Sequence, residues 1–274
     1  MDMRDTSKAI TPRADAIRAP SELDRFQQEL TVSMSLLARF GDPVQAVLTV
    51  QHNPGLATDG FTVVPMKVQH HTRGYFKTEY DTDAIRAATS DFVSSSVWEA
   101  IRNVYQHGHK FHNLRDTTPI PQEVHGVVAL KELSVVGPDN KPIKALLAAV
   151  MDAGPGIEDP AHLMINGIGN IAHGGQGCGM GVELKHSLVY VIRSAKEGWF
   201  VFDGFTYSKI PYNKVDPWSQ EANTARVEPV GTIDLRSPGI GCQKIFLCPL
   251  ETATEAERKW LTDQMLAALM KPGA

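Results

Sequence analysis

Cysteine is scarce in this chain: three in 274 residues, at Cys178, Cys242 and Cys248, with no C-x-x-C pair. An odd, unframed set argues against a disulfide scaffold and leaves buried or incidental thiols. Cys178 sits in a glycine-dense stretch, where it could be exposed and oxidisable. No apolar run reaches the length of a membrane span. The longest, residues 145–151, suits a buried strand. Residues 1–20 are polar and lack the apolar stretch of a signal peptide, so a cytoplasmic protein is expected. Charge of neither sign dominates. A formal net charge of −4 offers no basic footprint, so neither nucleic acid nor a membrane is expected as a partner. There is no internal repeat and no low-complexity tract. With 42% hydrophobic and 21% charged residues, the composition suits one large globular domain.

What is present reads as alternating helices and strands. Residues 1–20 are expected to be a mobile tail and 21–60 an N-terminal extension. Residues 61–274 are expected to form the main domain, with a polar, proline-bearing surface insertion at 207–229. Ser21 and Asp24 open a helix whose apolar positions, Leu23, Phe26, Leu30, Met34, Leu37 and Phe40, recur at helical spacing. Strands are expected at 46–50, 61–68, 124–135, 143–151, 199–205, 232–235 and 244–247. A long helix is expected over 83–107, another over 181–196, and a last one over 254–270. Residues 158–175 read as a loop or lid with a short helix. The sum is α+β: a two-layer sandwich of a mostly antiparallel sheet with helices on one face, plus the N-terminal helix and strand extension.

Three segments carry chemistry. In Glu99-x-x-x-Asn103-x-x-x-His107-Gly108, the i, i+4, i+8 spacing stacks the three side chains on one helix face. Such a stripe can be solvated or can line a cleft. Asn103 offers a neutral carbonyl oxygen suited to Mg²⁺, which binds through few protein ligands. Glu99 can accept a proton from water or a hydroxyl. His107, His109 and His112 lack the cysteines or carboxylates that would complete a tetrahedral metal site. In Asp152-Ala153-Gly154-Pro155-Gly156-Ile157, an acid ends an apolar strand and begins a glycine-bearing turn. Finally, five glycines fall between 174 and 181 in Gly174-Gly175-Gln176-Gly177-Cys178-Gly179-Met180-Gly181. Backbone N–H groups there can converge on an anion ahead of the expected helix. The segment lacks both the Rossmann fingerprint and the Gly-Lys-[Ser/Thr] ending of a P-loop.

In that order and at those separations, the three segments resemble the GHKL family of ATPases, whose ATP-binding domain is the Bergerat fold. In style they are similar to its anti-sigma-factor serine kinases. The resemblance spans residues 60–250. It implies ATP and Mg²⁺ as cofactors, Glu99 as general base and Asn103 as metal ligand, with His107 near the nucleotide. It implies that Asp152 reads the adenine amino group, with Gly154, Gly156 and Ile157 against the base. Guanine carries a carbonyl at that position, which a carboxylate repels. Gly175, Gly177, Gly179, Met180 and Gly181 would then close a mobile lid over the phosphates. The family also carries a Gly-Thr pair before a late strand. Gly231-Thr232 matches it by residue type and is the favoured candidate, whereas Gly241-Cys242 matches the final-strand context without the threonine.

Neither a phosphoacceptor hairpin nor the long second domain of gyrases, MutL or chaperones accompanies the segments. A stand-alone ATPase or Ser/Thr protein kinase acting on a regulatory protein partner is expected. A non-catalytic module that switches a partner when ATP binds is the alternative. A dimeric conformational ATPase, pairing through the helix over 21–40, is a third reading.

Overall fold

The computed structural model describes residues 20–38, 59–70, 76–79, 82–88, 91–107, 123–152, 157, 159–164, 185–194, 198–207, 227–235 and 242–270. The expected tail over 1–20, apart from Pro20, and the strand over 46–50 lie outside them. So do Phe40, most of the 207–229 insertion and the glycine-dense stretch.

The elements run α1 (Glu22–Ala38), β1 (Thr62–His70), β2 (Phe76–Glu79), α2 (Thr82–Ala88), α3 (Asp91–His107), β3 (Glu123–Val136) and β4 (Pro142–Asp152). They continue with α4 (Pro160–Leu163), β5 (Val189–Ser194), β6 (Gly198–Phe202), α5 (Gly204–Tyr207), β7 (Gly231–Ile233), β8 (Cys242–Pro249) and α6 (Glu255–Leu269). Among the described residues eight strands form one sheet, in the order β2-β1-β3-β4-β8-β5-β6-β7. Every neighbouring pair is antiparallel. The expected α+β class and antiparallel sheet are therefore what the chain forms.

Side chains alternate across a strand, so each strand feeds both faces. In β4, Ala145, Leu147, Ala149 and Met151 join a core with Phe26, Leu30, Met34 and Leu37 of α1 and Leu261, Met265 and Leu269 of α6. Leu146, Ala148 and Val150 join a second core with Ile85 of α2 and Val97, Ala100, Ile101 and Val104 of α3. Helices thus cover both faces of the sheet, not one as expected from the sequence. The reason lies in the strand itself: the run 145–151 has no polar face that could be left in water. The added layer is made by α1 and α6, which lie outside residues 60–250. The segments that carry chemistry belong to the α2 and α3 side.

Two other expectations change. The helix over 83–107 is divided into α2 and α3. The helix over 181–196 is not formed across its described part: residues 185–188 turn, and Val189–Ser194 is β5, between β8 and β6. Leu188, Val189, Tyr190, Val191 and Ile192 are all buried. Five consecutive buried residues rich in β-branched side chains suit a central strand and give a helix no wet side. The short strand β2, Phe-Lys-Thr-Glu, was not expected, since it has no apolar alternation to announce it.

Local chemistry fixes the outer helices. Asp24 accepts hydrogen bonds from the Ser21 backbone N–H at 3.0 Å and the Ser21 hydroxyl at 2.7 Å. The Asp24 N–H donates back to Ser21 Oγ at 3.1 Å. Thr254 and Glu257 form a capping box at the start of α6. On the α1 face, the buried Lys131 ammonium of β3 meets Glu29 at 3.2 Å, Asp59 at 3.1 Å and Ser33 Oγ at 3.0 Å. It thereby ties α1 to the sheet.

Candidate functional site

The site begins with α3. Val97, Ala100, Ile101 and Val104 face the sheet as one apolar stripe. Glu99 and Asn103 flank that stripe, Glu99 buried and Asn103 half-buried. A helical pair at i, i+4 on the edge of a packed face lines the seam between helix and sheet instead of standing in solvent. The Arg102 guanidinium donates to Glu99 Oε1 at 2.8 Å, so the carboxylate is held by an ion pair. His107 is the last residue of α3.

Asp152 is the last residue of β4 and only 9% exposed. Alternation from Val150 puts it on the α3 side of the sheet. Its Cα partner on β3 is Gly126 and on β8 is Cys242. A Cβ at Gly126 would stand 2.8 Å from the Met151 carbonyl oxygen and 2.8 Å from Met66 Cε. Glycine is therefore required for β4 to approach here. Ile157 packs, partly buried, against the core of the α3 side. Thus Glu99 and Asn103 of the first segment and Asp152 and Ile157 of the second belong to one side of one sheet. Gly154 and Gly156 lie outside the described residues, as do Gly175, Gly177, Gly179, Met180 and Gly181. The expected helix start behind the glycine stretch gets no support from residues 185–194, which turn and then form a strand.

The two candidates for the late-strand position separate clearly. Cys242 opens β8 directly beside Asp152. Thr232 is exposed on β7, the edge strand, and pairs with Phe200. Since β8, β5 and β6 stand between β4 and β7, Thr232 is about 19 Å from the β4 axis at the usual interstrand spacing. The sheet brings Cys242 to Asp152 and keeps Thr232 away from it.

Arg193, near the end of β5, is buried and pairs with Gln243, the residue after Cys242. Burial pushes the Arg193 pKa down from its ordinary value, while Cys242 and Asp152 nearby push it back up. By the same alternation the Arg193 side chain leaves the sheet with Gln243 on the α1 face, behind the Asp152–Cys242 pair, and guanidinium is the cation that best keeps its charge when buried. Gln243 donates to the Leu37 carbonyl at 3.3 Å and so caps the end of α1 on the far face.

Three neighbours of the site were not singled out from the sequence: Arg102, Gly126 and Arg193. Gly126 carried a usable signal, a lone glycine inside the valine-rich strand Glu-Val-His-Gly-Val-Val. Arg193 did not, because its stretch reads as helical until its neighbours are known to be buried.

A shallow groove of about 510 Å³ lies elsewhere, beside α1, between Arg25, Gln28, Glu29, Val32, Asp59 and Lys131. It is on the opposite face from Asp152, and its buried ammonium is already held by two carboxylates and a hydroxyl. Among the described residues no three His, Cys, Asp or Glu side chains converge as a metal-binding group. No described helix is long and apolar enough to cross a membrane. Comparison with protein-family models finds no match, and comparison with curated proteins and with solved structures finds no significant one.

Proposed function

We propose that this chain is a Mg²⁺-dependent ATP-binding protein of the histidine-kinase-like ATPase class, acting in the cytoplasm on a protein partner as a stand-alone ATPase or Ser/Thr protein kinase. One observation carries the reading. Asp152, a buried acid ending a central antiparallel strand, lies on the side of the sheet where α3 presents Glu99 and Asn103 at the edge of its packed stripe. In this reading Asp152 accepts a hydrogen bond from the adenine amino group. Asn103 offers its amide oxygen to Mg²⁺, which needs few protein ligands when phosphates and water supply the rest. Glu99 would take the proton from water or a partner hydroxyl, and a metal held at Asn103 would offset phosphate charge.

Arg102 favours a second reading. A carboxylate engaged by an arginine at 2.8 Å must be released, or must act while paired, before it can serve as a base. A module that binds ATP and reshapes a surface for a partner, without turnover, needs no such step. Hydrolysis or transfer measured with labelled ATP separates the two. The enzyme reading predicts turnover that falls about 10²–10⁴-fold in Glu99→Ala. Intact ATP after prolonged incubation, or equal turnover in both proteins, leaves only the binding module.

A further inference from the structure

We propose that the Arg258 guanidinium, with His186 and Lys185 beside it, forms a binding site for a phosphate-type dianion at the end of the sheet away from Asp152. The Leu188 N–H, next to this site, donates to the Leu247 carbonyl at 2.7 Å. Leu247 lies five residues along β8 from Cys242, the partner of Asp152, or about 17 Å. The inference is therefore independent of the nucleotide reading.

Three elements meet there. The Phe205 N–H of α5 donates to the Leu188 carbonyl at 3.1 Å. A Cβ at Gly204 would stand 3.0 Å from the Ser187 carbonyl oxygen, so α5 lies directly against the turn that carries Lys185 and His186. From the other side α6 lays Arg258 over the Phe205 ring, 5.7 Å from its centroid. Lys185 is exposed, and His186 and Arg258 are half-buried, so all three reach the surface.

Arg258 is the member that calls for a ligand. Its Nε is buried without a hydrogen-bond partner, and among the described residues no carboxylate pairs with its charge. A charged donor group left in that state is costly, and it is rare in native proteins. The neighbouring acids are turned elsewhere. Both Asp203 oxygens are taken by Thr206, at 3.0 and 2.6 Å. Glu257 closes the capping box with Thr254, and Asp263 meets Lys259 at 3.1 Å. Burial lowers the His186 pKa, and so do the charges of Lys185 and Arg258. Cationic groups thus gather here against their own repulsion, which an anion between them would relieve. Of the three Arg258 nitrogens only Nε is shut away from water. Stacking on Phe205 fixes the plane of the guanidinium, and its outer edge offers the fork that suits two oxygens of one anion. Three positively charged or protonatable groups favour a dianion over a single carboxylate.

The test titrates the full chain with sodium sulfate, at an ionic strength held constant with sodium chloride, and follows the imidazole signals by NMR. The His186 signal is identified by its loss in His186→Gln. A saturable shift of that signal, with a Kd of about 1 mM or below, is expected. Arg258→Met keeps an apolar stem on Phe205 and is expected to abolish the saturation, with circular dichroism to show that it is folded. Lys185→Gln, at an exposed position, is expected to weaken binding about two- to fivefold. Acetate is expected to bind about tenfold more weakly than sulfate. Glycerol 3-phosphate separates the two sources of such a group: tighter binding than sulfate supports an esterified phosphate, and equal binding supports the free ion. A response that rises without saturating would mean an adventitious ion only and overturn the inference. So would an equal saturable shift in folded Arg258→Met, or equal affinity for acetate and sulfate. If Arg258→Met does not fold, unchanged affinity in Lys185→Gln overturns it instead.

Discussion

At the scale of single residues, the site depends on groups that fit only because of their neighbours. Gly126 lets β3 close on the end of β4, where a methyl group would meet the Met151 carbonyl. Gly126→Ala should therefore lower stability by about 1–3 kcal/mol, measured by urea unfolding. An unchanged midpoint would show that the strand end has room to spare. His186 makes a pH prediction. Burial, with the charges of Lys185 and Arg258, lowers its pKa from 6.5. The folded state then binds the proton less well than the unfolded chain. Its contribution is fully present above the unfolded pKa and is lost as pH falls through that value towards the folded one. Stability should thus decline as pH falls through 6.5, and His186→Gln should flatten that decline. Parallel curves for the two proteins would contradict the assignment.

At the scale of elements, α6 is secured by the Thr254–Glu257 box. The Thr254 N–H donates to Glu257 at 2.7 Å and the Glu257 N–H donates to Thr254 Oγ1 at 3.2 Å. Thr254→Ala should cost about 1 kcal/mol in thermal unfolding, and no loss would mean that the cap is dispensable. Such signals explain what the sequence revealed. Helix α1 was legible because Phe26, Leu30, Met34 and Leu37 recur on one face behind Ser21 and Asp24. Strands β3, β4 and β8 were legible from their apolar runs. β5 was not, because the five residues from Leu188 to Ile192 are all large and apolar and so show no period. Such a run fits the expected helix over 181–196 as well as it fits a strand. The same ambiguity hid the second helical layer. The β4 run was legible as buried, yet burial on both faces demands helices on both, and that consequence appears only when α1 and α6 are seen on the far side. Of the candidate site, Asp152 and the Glu99–Asn103 stripe were legible from spacing. The choice between Thr232 and Cys242 was not, because it depends on strand order, which local sequence does not encode.

At the scale of the molecule, one sheet carries two different surfaces. The face under α1 and α6 is a closed core, fastened by Lys131 to Glu29 and Asp59. The face under α2 and α3 carries the acid, the amide and the paired carboxylate. Gln243 joins them, since it follows Cys242 at the site's rim and donates to the end of α1 behind it. The N-terminal helix therefore belongs to the same folding unit as the strands that bear the candidate site.

The central claim is that the buried carboxylate of Asp152 reads an adenine. Calorimetric titration with Mg-ATP of the native protein and of Asp152→Asn tests it most directly, with circular dichroism to show that both are folded. The substitution keeps the shape and removes the charge. The account predicts binding by the native protein and a loss of about 10- to 150-fold in the variant, the worth of a charged hydrogen bond. Equal affinity in the two folded proteins, or no uptake by the native one, would contradict it.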